Sequence, residues 1–333
     1  MRYKQAILAS AAGLAMASAL AACGSGGSGG GSSGGSGGSG TSSKSATPLT
    51  VVYAANGAGF SDLYVGVADG IFARYGLNVK IQQVTPANLV PALLSGSAQI
   101  GGGVADGTAS AILKGEKLKY VALTEGTYNL QLWATKKVSS VQALSGQTVA
   151  LTTQGSETDF GLTALLKADG VNPSSVSRKY LVATPQMLSA MSSGAVAAGL
   201  FQPPTAQSLL KSGGKVVASL STLPYAVGAY ISPSSYVSAH AKVISEFQQA
   251  EQANLAFLRS HPAQAMAAIQ KYNPQNSAAD AKIAYDFFLH VWKKDPAVTP
   301  ALIQAAFTRA AAKAGTSPPS SVTQYIDSAQ ASG

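Results

Sequence analysis

The chain has 333 residues, of which 46% are hydrophobic and 11% charged, and its formal charge at pH 7 is +9. This hydrophobic content is too high for a disordered protein. The Lys and Arg residues are scattered singly, with Lys136-Lys137 and Lys293-Lys294 as the longest runs, and no basic-helix, zinc-finger or RNA-binding pattern is present. The scattered distribution of the basic residues and the absence of such a pattern therefore argue against a nucleic-acid partner.

Residues 1–22 are predicted to be a signal peptide. Arg2 and Lys4 precede a short apolar segment that ends in Leu-Ala-Ala-Cys at Cys23. This arrangement resembles a bacterial lipoprotein signal, in which the cysteine receives a lipid. We expect an exported protein, anchored to the cell membrane through Cys23 and facing the periplasm or the outer side. Because Cys23 is the only cysteine, no disulfide is expected.

Residues 23–47 are predicted to be a tether, because they are almost entirely Gly and Ser after the cysteine. Such a segment has too little apolar content to fold by itself. As a flexible coil of about 24 residues it would extend roughly 25–30 Å, enough to hold a folded body away from the lipid.

The body that follows alternates short apolar runs with helical patterns, which predicts an α/β protein. The predicted strands are 49–53, 78–82, 98–101, 118–123, 148–151, 178–182, 196–200, 216–220 and 226–231. The predicted helices are 61–75, 89–94, 106–114, 156–168, 185–191 and 203–211, followed by a helical region from residue 237 onward. Segment 130–135 is interpreted as a crossing between two halves.

The two successive series of strands and helices predict two lobes, because about 285 residues exceed what one compact core usually holds. Lobe one is expected to comprise residues 48–134 and 226–333, and lobe two residues 135–225. A cleft between two such lobes is a common place for a small ligand.

Four segments of the body resemble one family in their order and spacing. They are GIFARYGLNV at 70–79, PALLSGSAQIG at 91–101, LSGQTVA at 144–150 and AMSSGAVAA at 190–198. They resemble the type II periplasmic binding proteins of the nitrate/sulfonate/taurine and thiamine-pyrimidine group. Gln99 and Ala197 stand where that family commonly has Asp.

The resemblance implies a two-lobed type II periplasmic-binding-protein fold, each lobe a mixed sheet flanked by helices, with two crossing strands and a cleft. It also implies the substrate-binding subunit of an ABC importer. Such a protein captures a small solute, here sulfonate-, nitrate- or pyrimidine-like, and delivers it to a permease driven by a cytoplasmic ATPase. No cofactor or metal is expected.

Two alternatives stay open. A lipid-anchored sensor or adhesion module could use the same fold. An enzyme related to pyrimidine synthesis is less favoured, because the three histidines lie in the C-terminal helical region without a carboxylate or a second histidine at metal-ligand spacing. They are His240, His261 and His290. We therefore predict a protein that is not an enzyme.

The site is expected where loops follow the strands of both lobes. The predicted ligand-binding residues of the first lobe are Asn56, Phe60, Asp62, Gly103, Asp106, Glu125 and Tyr128. For several of these a structural role is the alternative: Asn56-Gly57 is a strong turn signal, and Asp62 or Asp106 could cap a helix.

The second lobe contributes a polar segment directly before a predicted helix. The predicted ligand-binding residues here are Gln154, Gly155, Ser156, Glu157, Phe201, Gln202 and Tyr225. Free N–H groups at a helix start suit an anion, but Glu157 and Asp159 in the first turn can satisfy the helix dipole themselves. An amine-bearing or neutral ligand therefore competes with an anionic one.

Overall fold

A computed structural model describes residues 46–54 and 57–327 of the chain. The predicted signal peptide, Cys23, Asn56 and the tether up to residue 45 lie outside these residues, and Thr47 at the predicted end of the tether already belongs to the first strand. The described residues belong to one compact unit, which contains two mixed β-sheets flanked by helices.

The first sheet has the strand order β2-β1-β3-β10-β4. Its strands are β1 (Thr47–Tyr53), β2 (Leu77–Gln83), β3 (Ile100–Gly103), β4 (Leu118–Leu123) and β10 (Ala229–Pro233). Strands β1, β2 and β3 run parallel, whereas β10 lies antiparallel between β3 and β4. The last strand in the chain therefore returns to the middle of the first sheet.

The second sheet has the order β7-β6-β8-β5-β9. Its strands are β5 (Gln131–Ala134), β6 (Thr148–Leu151), β7 (Ser177–Tyr180), β8 (Ala198–Phe201) and β9 (Lys215–Ser219). Strand β5 is antiparallel to both β8 and β9. The interpretation of 130–135 as a crossing segment is therefore wrong. Leu132, Trp133 and Ala134 are buried within the sheet, and their apolar side chains stabilise a central strand.

Helices cover both sheets. They are α1 (Ser61–Ala68), α2 (Ile71–Arg74), α3 (Pro86–Leu94), α4 (Ala105–Leu113), α5 (Glu157–Ala168), α6 (Thr184–Ser192), α7 (Ser234–Ala239), α8 (Ala241–Ser260), α9 (Pro262–Tyr272), α10 (Ala278–Phe288) and α11 (Pro300–Ala314). Several begin with Pro in the first turn, where the missing N–H has no helical partner to lose. Helix α10 begins with a capping box between Ser277 and Asp280.

The C-terminal helices belong to the first lobe. Helix α8 packs against α1, and α11 packs against α4. The apolar side chains between these helices and the sheet include Phe72, Phe247 and Phe307, which are almost completely buried. This packing brings the last helix of the chain beside α4, close to the cleft.

Two segments, 124–130 and 220–228, connect the lobes. They run side by side, because the Tyr128 N–H donates to Leu223 O at 3.1 Å and the Tyr225 N–H donates to Gly126 O at 3.0 Å. The rings of Tyr128 and Tyr225 stack with their centroids 4.2 Å apart. The architecture confirms the predicted two-lobed α/β fold with paired crossings and a cleft.

Candidate functional site

A glycine turn from the first lobe reaches a side chain of the second. The 3₁₀ turn Ala58–Phe60 follows β1. Gly59 lies within this turn, and Gly57 directly precedes it. A Cβ atom on Gly57 would clash with Gln202 Oε1, and one on Gly59 would lie 3.1 Å from Glu125 Oε1. Gly57 also has a φ of 98°, which disfavours other residues. The turn therefore lets Gln202 and Glu125 approach the backbone of the first lobe.

Glu125 lies in the first crossing segment and is only 1% exposed. Its Oε2 accepts a hydrogen bond from Asn129 Nδ2 at 2.8 Å. Burial raises the pKa of Glu125 well above its usual value, and the nearby carboxylates of Asp62 and Glu157 raise it further. Burial thus favours the protonated form of this carboxyl, whereas a cationic group beside it would favour the carboxylate.

Glu157 opens α5 in the second lobe, and its Oε1 is buried without a hydrogen-bond partner among the described residues. Burial, followed by the charge of Asp106, raises the pKa of Glu157 to about 8, against a smaller opposing effect of a hydrogen bond from the Asn129 backbone. Asn129 thus contacts Glu125 through its side chain and Glu157 through its backbone.

The start of α5 satisfies much of its own hydrogen bonding. The Gly155 N–H donates to Asp159 Oδ2 at 2.8 Å, and Asp159 Oδ1 accepts from Arg178 Nε at 3.0 Å. The Ser156 hydroxyl lies 2.9 Å from the Thr152 hydroxyl and does not cap the helix. These local bonds leave fewer donors for an anion than a bare helix start would offer.

A charged and aromatic cluster links the lobes beside Glu157. Arg309 Nε and Nη2 donate to Asp106 Oδ1 and Oδ2 at 2.6 and 2.9 Å. The guanidinium carbon lies 4.4 Å from the centroid of the Tyr225 ring and 5.7 Å from that of Phe160 in α5. Lys313, one turn after Arg309, lies beside Gly155. Helix α11 of the first lobe therefore contacts the start of α5 in the second.

Six of the predicted residues are brought together at the cleft, namely Asp106, Glu125, Tyr128, Glu157, Gln202 and Tyr225, with Gly155 and Ser156 beside them. Sequence reasoning missed the residues Asn129, Phe160, Arg309 and Lys313. An arginine and a lysine four residues apart on one helix were the available signal for the last two, but nothing in the sequence connects that helix to the cleft.

The other predicted residues lie elsewhere or apart from this cluster. Phe60 packs with Tyr53 and Tyr230 inside the first lobe, and the fully buried Asp62 accepts a hydrogen bond from Tyr230 Oη at 2.6 Å. Gly103 is buried in β3. In the second lobe, Phe201 packs in the apolar cluster with Trp133 and Met191, and Gln154 is exposed. Their contact with a ligand stays a prediction.

A cavity of about 320 Å³ lies away from this cluster, on the second lobe. Its lining includes Lys136, Lys137 and Met191 and none of the predicted site residues. Because the cluster at the crossings joins groups from both lobes, we take that cluster and not this cavity as the candidate site.

Comparison with protein families gives one match, the model described as NMT1/THI5 like, over residues 58–265. The chain belongs to this family. The match extends from the glycine turn through the second lobe and into helix α9 of the first. It confirms the family resemblance carried by the four sequence segments. No curated protein matches the chain.

Solved structures of similar fold support the family architecture. The periplasmic aliphatic sulphonate-binding protein SsuA from Escherichia coli is 18% identical, with a TM-score of 0.70 over 86% of this chain and 99% of that one. The ligand-binding component of an ABC-type import system from Staphylococcus aureus, with zinc bound, is 15% identical, with a TM-score of 0.68 over 86% and 98%. SsuA from Xanthomonas axonopodis pv. citri, bound to MOPS, is 18% identical, with a TM-score of 0.61 over 80% and 92%.

Within 46–54 and 57–327, no helix is long and apolar enough to cross a membrane. Within the same ranges, no group of three or more His, Cys, Asp or Glu side chains is arranged to hold a metal ion.

Proposed function

We propose that this protein is the substrate-binding lipoprotein of an ABC importer, which captures a small solute between its lobes and delivers it to a membrane permease. The family match supports this function, and the solved relatives that bind sulfonates or serve ABC-type import share the fold. On this proposal residues 1–22 direct export, lipid on Cys23 anchors the protein, and residues 23–47 tether the body.

One observation carries the proposal most directly. Polar groups from both lobes and from the crossings meet at one place: Gly57 and Gly59 from the first lobe, Glu125 and Asn129 from a crossing, and Gln202 from the second lobe. A solute held there would contact both lobes at once. Such a ligand stabilises the closed arrangement because it has a higher affinity for that state.

The proposal assigns binding and not catalysis to the chain. His240 and His261 follow the last residues of α7 and α8, and His290 lies two residues beyond α10. None of them is among the residues of the cleft cluster. The Ser156 hydroxyl beside Glu157 is hydrogen-bonded to the hydroxyls of Thr152 and Thr158. The carboxyl and hydroxyl groups of the cluster fit recognition of a bound molecule.

The test is a thermal-shift screen of the full-length chain in detergent against sulfonates, nitrate, pyrimidines, amines and amino acids. A ligand present at 100 times its Kd stabilises the folded state by about 2.7 kcal/mol. A saturable rise in Tm for one chemical class is the expected result. Absence of any shift across the whole panel, with isothermal calorimetry also silent, would contradict a solute-binding function.

A further inference from the structure

Two carboxyl groups of the cleft cluster, those of Glu125 and Glu157, have no cationic partner among the described residues. The guanidinium of Arg309 is committed to Asp106 through two hydrogen bonds, and Asp159 is paired with Arg178. Glu125 and Glu157 lie within the same cluster. In the part of the chain that the structure describes, neither carboxylate has a Lys, Arg or His side chain within ion-pair distance.

Two polar atoms of the cluster are also buried without a partner among the described residues. One is Glu157 Oε1 and the other is the hydroxyl of Tyr225, a residue that is 1% exposed. They belong to the same neighbourhood, since the charge of Glu157 acts on the Tyr225 hydroxyl. Buried polar atoms are almost always hydrogen-bonded in folded proteins, so a missing partner at a ligand cleft points to the ligand.

The nearby cations do not supply that partner. Arg309 spans Asp106 and the face of the Tyr225 ring, and Lys313 lies against Gly155 with its side chain exposed. The charged groups that shift the pKa of Glu125 and Glu157 are other carboxylates, with Asp62 and Glu157 acting on Glu125 and Asp106 acting on Glu157. An anionic ligand placed here would add a further negative charge to this set.

We propose that the ligand of this cleft is a small nitrogen cation, a protonated amine or amidine, whose N–H groups donate to the carboxylates of Glu157 and Glu125. The inference rests on the proposed solute-binding function and names its substrate class. A cation of this kind supplies hydrogen-bond donors to these carboxyl groups and balances the charge that they gain when they ionise. The unpartnered hydroxyl of Tyr225 lies in the same cluster and is available to a second polar group of the ligand.

Binding of such a cation should release the proton of the Glu157 carboxyl. In the free protein the Glu157 carboxyl, with a pKa raised to about 8 by burial and by Asp106, is mostly protonated at pH 7. A bound cation favours the ionised carboxylate, so binding releases a proton and the affinity rises with pH below about pH 8. An anion would favour the protonated form and would show the opposite trend. The titratable groups that interact electrostatically with Glu157 are Asp106, Glu125, Tyr128 and Tyr225. The cations near the start of α5 are Arg309, which lies over the Phe160 ring, and Lys313, which lies beside Gly155.

The experiment uses probes matched in shape. Propylamine, benzylamine and benzamidine are compared with propanesulfonate, phenylmethanesulfonate and benzoate by isothermal calorimetry on the full-length chain, from pH 6 to pH 9. Titration in two buffers of different ionisation enthalpy counts the protons exchanged. We expect an amine or amidine to bind, with up to one proton released and an affinity that rises by up to about tenfold per pH unit below pH 8.

Two variants test the assignment to Glu157. Glu157→Gln is expected to weaken amine binding by tenfold or more and to flatten its pH dependence, whereas the matched Glu116→Gln, on the first lobe beyond α4, is expected to leave both unchanged. Circular dichroism verifies the fold. Should Glu157→Gln fail to fold, proton release by the natural protein still decides the matter.

The two proposals fail in distinguishable ways. If sulfonates, nitrate or neutral pyrimidines bind while amines and amidines do not, the nitrogen-cation proposal is overturned and the solute-binding function stands. If a cation binds with proton uptake, or equally well to Glu157→Gln, the assignment of the carboxylate is overturned. If no solute of any class binds, both proposals are contradicted.

Discussion

Arg309 holds Asp106 through two parallel hydrogen bonds although 203 residues separate them in the chain. Asp106 is in the first turn of α4, and Arg309 is in the last helix, α11. Both side chains are mostly buried, with 14% and 20% of their surface exposed. The pair fixes α11 beside the cleft, and it places the guanidinium over Tyr225 at the point where a crossing segment passes between the lobes.

Replacing Arg309 by Ala is expected to destabilise the protein by about 2–4 kcal/mol, because Asp106 would be left as a mostly buried carboxylate without its partner. Urea unfolding would measure the loss. Asp106→Asn in the Arg309→Ala background should recover part of it, since the uncompensated charge is then removed.

The exposed pair Lys282–Asp286 on α10 provides the control for that measurement. Lys282→Ala should change the free energy of unfolding by less than about 1 kcal/mol, as surface ion pairs usually do. Equal losses for Arg309→Ala and Lys282→Ala would show that the pair at the cleft stabilises the fold no more than a surface pair does.

Much of the fold was predictable because local patterns set it. Segment 70–79 covers α2 and the start of β2, and Gly76, with a φ of 76°, makes the left-handed turn between them that glycine favours. Strand β5 was interpreted as a crossing segment, because the local sequence does not show which strands it pairs with. Only its pairing with β8 and β9 shows which sheet it joins.

The site was less predictable, because its residues come from distant parts of the chain. The loops after strands could be located, and six of the predicted residues do meet at the cleft. Arg309 and Lys313 reach that place through the packing of α11 on α4, a tertiary contact that leaves no local pattern. Conversely, Asp62 follows β1 as expected, but its carboxylate is directed to the hydroxyl of Tyr230 inside the lobe.

Stability should fall as the pH rises from about 5 to about 8. The folded-state pKa of Glu157 is raised to about 8, so the folded protein holds a proton that the unfolded chain releases above its ordinary pKa. Unfolding thus becomes more favourable by at most about 1.4 kcal/mol per pH unit from this one group. Burial raises the pKa of Glu125, Asp62 and Glu251 as well, with the same sign.

Urea unfolding at pH 5.5, 6.5 and 7.5 would measure this slope. Glu157→Gln should make it shallower, because the substituted side chain no longer titrates, while Glu116→Gln should leave it unchanged. A slope that is the same in Glu157→Gln and in the natural protein would show that other groups account for it.

Cys23→Ser should abolish membrane anchoring on the proposed function. The substituted chain lacks the thiol that receives the lipid, so cells grown with radiolabelled palmitate should show label on the natural protein and none on the variant. Ser43→Cys in the Cys23→Ser background is a suitable control, since it restores a cysteine outside the signal sequence. Label on this double variant would indicate acylation that does not depend on the signal.

Gly57→Ala should lower the stability of the fold for two reasons that can be separated. A Cβ atom at this position would clash with Gln202 Oε1, and the φ of 98° is strained for alanine. We expect a loss of about 1–3 kcal/mol in the free energy of unfolding. Adding Gln202→Ala removes the clash but leaves the backbone strain, so it should restore only part of the stability.

Gly107 supplies the matched control, because it lies within α4 and a Cβ there would meet no atom within 4 Å. Gly107→Ala should be neutral or should stabilise the protein by up to about 1 kcal/mol, since alanine favours the helix. If Gly57→Ala were as harmless as Gly107→Ala, Gln202 would have room to move away from the glycine turn. The contact between Gln202 and the glycine turn would then not be what holds the second lobe against the first.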